Sequence, residues 1–153
     1  MSLEQTREFR FTTQDFQLIS KLIYQRAGIS LSESKQELVY SRVARRLRAT
    51  GIKTFSEYLE RLQRGDATEW EQFTNSLTTN LTSFFREAHH FQVLADHLRK
   101  LGKARTIELW CSACSTGEEA YSMAMTAVDA FASFDIPVKI VASDLDTKVL
   151  ETA

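Results

Sequence analysis

The chain has 153 residues, of which 43% are hydrophobic, 25% charged and 10% aromatic, and its formal net charge is −1. That length suits one ordinary domain, or a small domain plus the start of a second, and it needs no disulfide or metal staple to bury a core. The composition excludes intrinsic disorder and collagen-like repeats, and no apolar run approaches the length of a membrane span.

The opening residues MSLEQTREFRF have no apolar core and carry acids, so they do not read as a signal peptide. With only Cys111 and Cys114 and no export signal, the expected compartment is the reducing cytoplasm.

The first hundred residues carry helical signals. Phe16, Ile19, Leu22, Ile23 and Arg26 follow helical spacing, Thr12 and Asp15 can cap the start, and Gly28 ends the segment. A second helix opens at Ser34 with Glu37 three residues on, a capping-box pattern. It runs to about Thr50 before Gly51, with Leu38 or Val39, Val43 and Leu47 as its apolar stripe. Thr54 with Glu57 and Thr68 with Glu71 repeat the pattern for a third and a fourth helix. Leu59 and Leu62 are core candidates in the third, and Trp70, Phe73 and Leu77 in the fourth. A fifth helix is expected from near Ser83–Glu87 and turns Phe91, Leu94 and Leu98 inward before Gly102. Short helices with brief links make a small bundle.

The character changes after Gly102. Thr106–Cys111 is a short β-favouring run, Ser112–Gly117 a loop of small residues, Glu118 to about Ser133 a helix, and Val138–Ala142 a second apolar run. Strand, tight loop, helix and strand form a βαβ unit with parallel pairing, and its nearly all-apolar strands imply cover on both faces. One such unit does not close a sheet, so the expected fold is α plus α/β. A small helical bundle is followed by the first βαβ unit of a truncated, doubly wound, Rossmann-like domain.

The loop after the first strand puts Ala113, Ser115 and Gly117 where three glycines stand in nucleotide-binding turns, so close approach of a ligand to the backbone remains open. Glu118 and Glu119 in the first turn of the next helix disfavour a pyrophosphate and suit a cationic ligand. Asp144, at the end of the second strand, is placed to accept hydrogen bonds from ribose hydroxyls; the competing reading is a plain turn with Asp144 as a helix cap. Cys111 and Cys114 resemble a redox pair by spacing. The neighbouring acids raise rather than lower a thiol pKa, which favours small buried residues. No zinc site is expected, since His89, His90 and His97 lie on another element.

Thr78–Glu87 mixes Asn80 and Thr82 with Phe84, Phe85 and Arg86, which reads as a break between helices. Phe84 and Phe85 are expected to anchor that break in a core and aim Arg86, whose guanidinium is a clamp for a carboxylate; a capping junction with a surface arginine is the alternative. Between Val39 and Ser56 stand Arg42, Arg45, Arg46, Arg48 and Lys53 with no acid among them. That cationic stretch is either a face for an anionic partner or a solvated surface.

Three segments in order carry a family likeness: T-T-N-L-T-S-F-F-R-E-A-H-H-F (Thr78–Phe91), S-T-G-E-E-A-Y-S (Ser115–Ser122) and A-S-D-L-D-T-K-V-L (Ala142–Leu150). Together with I-Y-Q-R-A-G-I (Ile23–Ile29) and V-Y-S-R-V-A-R-R-L-R (Val39–Arg48), they resemble the chemotaxis receptor glutamate methyltransferases of the CheR type. The resemblance implies a helical receptor-docking domain over residues 1–80 and the start of an α/β methyltransferase domain over residues 81–153. It implies S-adenosylmethionine as cofactor, S-adenosylhomocysteine as product, and the cytoplasmic methylation helices of chemoreceptors as partners. Carried over by position, Asn80, Thr82, Arg86, Glu119 and Asp144 would contact the cofactor, with Arg86 organising the reaction centre. Arg42, Arg45, Arg46 and Arg48 would form the face that meets the receptor. Cys114 and Ala120 depart from the family, which prefers small residues or proline there. The family's further cofactor contacts lie in a C-terminal half absent from this sequence, so the chain alone is expected to be incomplete for activity.

The implied chemistry needs no general base, because a glutamate carboxylate is already ionised at pH 7. Alignment of nucleophile and methyl, with water removed from both, is what such an enzyme supplies. A non-catalytic helical module for a receptor or a nucleic acid is the competing class. Nucleic acid would call for a more basic domain with stacking aromatics on the cationic face.

Overall fold

The computed structural model describes residues 7–153. The first six, which begin the stretch expected not to be a signal peptide, lie outside the described residues. The chain divides into two compact units, one ending at Thr78 and the other starting at Thr79.

The first unit is helical, with α1 (Thr13–Ala27), α2 (Gln36–Thr50), α3 (Phe55–Gln63) and α4 (Ala67–Leu77). The expected capping box opens α1: Asp15 N–H donates to Thr12 Oγ1 at 3.2 Å, and Thr12 N–H donates to Asp15 Oδ2 at 2.8 Å. Gly28 closes it at φ 69°, a left-handed value that costs glycine little. Two expected caps are corrected. A 3₁₀ turn (Glu33–Lys35) leads into α2, so Ser34 lies too early to cap it and instead pairs with Ser32 Oγ at 2.8 Å. The cap of α4 is Asp66, which accepts from Glu69 N–H at 2.9 Å, two residues ahead of Thr68. Aspartate caps at least as well as threonine, and Gly65 turns the chain there at φ 90°.

Phe16, Ile19 and Ile23 of α1, Val39, Val43 and Leu47 of α2, and Phe55, Leu59 and Leu62 of α3 meet in one core with Phe73 and Leu77 of α4. At roughly 1.5–3 kcal/mol for each large side chain, this burial is the main force holding four short helices together. Val39, not Leu38, belongs to the stripe of α2, because Leu38 stays exposed.

The second unit has α5 (His89–Leu101), β1 (Ile107–Cys111), α6 (Glu118–Phe131), β2 (Val138–Ala142) and the short α7 (Thr147–Leu150). The strands pair in parallel, with Ile107 opposite Val138 and Cys111 opposite Ala142. Ile107 and Leu109 on one face pack with Leu98, Ala127 and Phe131 from α5 and α6. The expectation of cover on both faces is corrected, since Trp110 and Val141 on the alternate positions are exposed. The period of two sends them to the other side, which α5 and α6 do not reach.

Helix α5 starts later than expected. Residues 84–88 form a turn, with Phe85 at φ 53° and Glu87 at φ 55°. Left-handed backbone at two non-glycine residues cannot continue a helix. The Phe84 and Phe85 side chains are also not core anchors, being 57% and 42% exposed.

Candidate functional site

The carboxyl ends of β1 and β2 are tied together. Ser143 N–H donates to Cys111 O at 2.9 Å, and Cys114 N–H donates to Ser143 O at 3.0 Å, so the loops leaving the two strands interlock. In open α/β sheets this edge is where ligands bind.

Asp144 stands at its centre. Its Oδ2 accepts from Ser115 N–H at 2.8 Å, and its Oδ1 from Asp146 N–H at 2.9 Å. Each carboxylate oxygen has a second lone pair, so Asp144 can hold the loop and still accept from a ligand. The helix cap is Asp146, whose Oδ1 accepts from Lys148 N–H at 3.0 Å. Asp146 Oδ2 in turn accepts from Asn80 Nδ2 at 2.6 Å, and Ser115 Oγ donates to Asn80 O at 3.2 Å. The polar segment beginning at Asn80 is thereby pinned to the strand edge.

The loop backbone is bent as a close-approach turn requires. Ser115 sits at φ 49° and Gly117 at φ 102°. A Cβ on Gly117 would lie 3.2 Å from the Tyr121 ring, so both conformation and space favour glycine. Glu119 follows in the first turn of α6 and accepts from Cys111 Sγ at 3.7 Å, which sets it over the end of β1. Burial first and Glu119 second push the Cys111 thiol up to about 11. Burial and Asp144 raise Cys114 as well. Two protonated, buried thiols are the opposite of a reactive redox pair.

Arg86 is exposed between the left-handed Phe85 and Glu87, and its Nη1 donates to Leu81 O at 3.2 Å. Thr82 is half-buried on the same segment. Asn80, Asp144 and Ser115 are thus joined directly, while Glu119 reaches the same edge through Cys111 and Arg86 folds back on its own loop.

Residues 14–78 match the all-alpha domain of CheR methyltransferase, and residues 80–153 match its SAM binding domain. The chain belongs to the CheR methyltransferase family. It is 53% identical to chemotaxis protein methyltransferase 2 of Pseudomonas aeruginosa over 148 residues, which cover 96% of this chain and 52% of that protein. It is 49% identical to the chemotaxis protein methyltransferase of Escherichia coli over 152 residues, covering 99% of this chain and 52% of that one. The Salmonella typhimurium counterpart is 47% identical over 152 residues, again 99% and 52%. The chain spans about half the length of these relatives.

The residues at the strand edge of this CheR-family chain fit S-adenosylmethionine. Ala113, Ser115 and Gly117 are small, and Asp144 and Glu119, which bond to Ser115 N–H and Cys111 Sγ, are carboxylates whose charge suits a sulfonium and an ammonium rather than phosphate. Among the described residues no group of three or more His, Cys, Asp or Glu is placed to hold a metal ion.

In the helical unit, the four arginines of the expected cationic face have different surroundings. Arg42 Nη1 donates to Leu77 O at 2.9 Å and Thr78 O at 2.6 Å, satisfying carbonyls at the end of α4. Burial, then Arg45, lowers its pKa. Arg46 Nε and Nη2 each donate to Glu69 at 2.9 Å, and Tyr58 Oη donates to the same carboxylate at 2.7 Å. Arg42 and Arg46, one turn apart, therefore tie α2 to α4. Arg48 makes an exposed pair with Glu8 at 2.8 Å, and Arg45 is exposed.

Sequence reasoning missed Glu69, Tyr58 and Asp146. Asp146 had a signal, since an aspartate directly before T-K-V-L has the form of a helix cap. Glu69 had none, because a glutamate in the first turn of a helix reads as an ordinary solvated acid.

Proposed function

We propose that this chain carries the receptor-meeting helical unit and the cofactor-binding start of a protein-glutamate O-methyltransferase. Its substrates on this reading are glutamate side chains on the methylation helices of chemoreceptors, and its compartment is the cytoplasm. The observation that carries it is Asp144, held by Ser115 and Asp146 at the carboxyl edge of β1 and β2 in a segment matching the SAM binding domain.

On this reading Asp144 accepts from ribose hydroxyls with its remaining lone pairs, and Glu119 offers a carboxylate to the positive end of the cofactor. Asn80 and Thr82 line the same edge, and Arg86 turns from Leu81 O to orient the reacting carboxylate. Bound there, S-adenosylmethionine supplies a methyl activated by its sulfonium. The protein's part is to align the glutamate oxygen with that methyl and to exclude water, since the nucleophile needs no deprotonation. The relatives' printed names, chemotaxis protein methyltransferase, support the same reading. Among the described residues no helix is long and apolar enough to cross a membrane.

Calorimetry of this chain with S-adenosylhomocysteine is the first test, and binding is the expected result. The second uses a chain extended to the relatives' full length, labelled S-adenosylmethionine and a chemoreceptor cytoplasmic fragment. The expected product is a base-labile methyl ester on glutamate. No heat of binding and no labelling above a control without enzyme would overturn the proposal.

A further inference from the structure

We infer that Asp146 is a positioning residue for the cofactor, acting through Asn80; this rests on the cofactor reading above. Asp146 is 4% exposed, so its carboxylate meets protein rather than water. Its two oxygens do different things. Oδ1 caps α7 by accepting from Lys148 N–H, whereas Oδ2 takes the Asn80 amide at 2.6 Å across 66 residues of sequence. Its own N–H donates to Asp144 Oδ1. One buried residue thereby touches both polar groups at the centre of the edge, fixing the side chain of Asn80 and one oxygen of Asp144.

The geometry also decides how Asn80 presents itself. A carboxylate only accepts, so it must face the amide nitrogen of Asn80, and the amide oxygen is turned away from it. Ser115 Oγ holds the Asn80 carbonyl at 3.2 Å and fixes the backbone half of the residue. The orientation of the Asn80 amide is thus set before any ligand arrives, and preorganisation of this kind lowers the ordering cost of binding.

The test is calorimetry of S-adenosylhomocysteine binding to this chain, with thermal unfolding of the same samples. Asp146→Asn keeps the shape and one cap oxygen but can set an amide nitrogen against that of Asn80. Asp146→Ser keeps a cap oxygen and is too short to reach Asn80. Both are expected to weaken binding by about tenfold, the size of one charge-assisted hydrogen bond, with the melting temperature little changed. In an Asn80→Ala background the same changes are expected to cost much less, because the residue they act through is gone. Wild-type affinity in both variants would overturn the inference, as would an undiminished loss in the Asn80→Ala background. Failure of both variants to fold would make Asp146 a purely structural residue and overturn it too. A wild-type chain that binds no S-adenosylhomocysteine would overturn the cofactor reading itself, a result distinct from a bound wild type with unaffected variants.

Discussion

Arg46 grips Glu69 with two parallel hydrogen bonds of 2.9 Å, and the Glu69 side chain is only 4% exposed. A planar guanidinium matches a carboxylate in this bidentate way, and lysine could not replace it. The Glu69 hydrogen bond is the main cause of a raised Arg46 pKa, and burial followed by the Glu69 hydrogen bond raises Tyr58. Arg46→Ala would leave a buried carboxylate with Tyr58 as its remaining partner among these. Removing one partner of a buried pair costs about 3–5 kcal/mol, so urea unfolding of this variant is expected to show a loss of at least half that. Arg45→Ala, an exposed change on the same helix, is expected to stay within about 0.5 kcal/mol of wild type.

Receptor docking is expected to depend on the arginines unequally. Arg45→Ala and Arg48→Ala should lower kcat/KM for a receptor fragment in the extended chain without changing cofactor affinity. The loss should shrink as salt rises, because exposed charges are screened within roughly 8 Å at physiological ionic strength. Kinetics at two salt concentrations check this, and unchanged kcat/KM in both variants would return these residues to plain surface. Arg42→Ala and Arg46→Ala should instead show their main effect in thermal unfolding, through the α4 contacts.

Asp144→Ala is expected to weaken S-adenosylhomocysteine binding by roughly 1.5–3 kcal/mol, the worth of hydrogen bonds to a charged acceptor. Helical circular dichroism should remain, because α1 to α4 lie in the other compact unit. Calorimetry on the purified variant decides, and unaltered affinity would leave Asp144 as a fastener for Ser115 and Asp146 only.

Cys111 gives a pH dependence with a definite sign. Its folded pKa is raised from the ordinary 9.0 to about 11, so the folded state keeps a proton that the unfolded chain gives up. The stability it contributes is complete below pH 9 and is lost as pH rises through 11. Cys111→Ser should flatten the fall in melting temperature across that window. Alkylation of Cys111 in the folded chain at pH 8 should be far slower than in urea. Fast alkylation there would revive the redox reading of the cysteine pair.

The elements of this fold were legible where local chemistry suffices. Thr12 with Asp15 and the left-handed Gly28 and Gly51 bound helices as their residue types demand, and the apolar runs Ile107–Cys111 and Val138–Ala142 became paired parallel strands. The order of the family motifs placed Asn80 and Asp144 as site candidates, because motif spacing is a property of the chain alone. What the sequence could not decide was which partner each polar side chain meets. Arg42, Arg45, Arg46 and Arg48 look alike as letters, and only the packing of α2 against α4 turned two of them onto Leu77, Thr78 and Glu69. Phe84 and Phe85 read as core anchors by hydropathy, yet the left-handed turn between Phe85 and Glu87 leaves both rings exposed. Asp146 lies 66 residues from Asn80, and their hydrogen bond forms where the parallel βαβ unit brings the end of β2 beside the loop after β1, whose Ser115 Oγ holds the Asn80 carbonyl. Contacts at that separation depend on the tertiary fold of the second unit, so no local pattern encodes them.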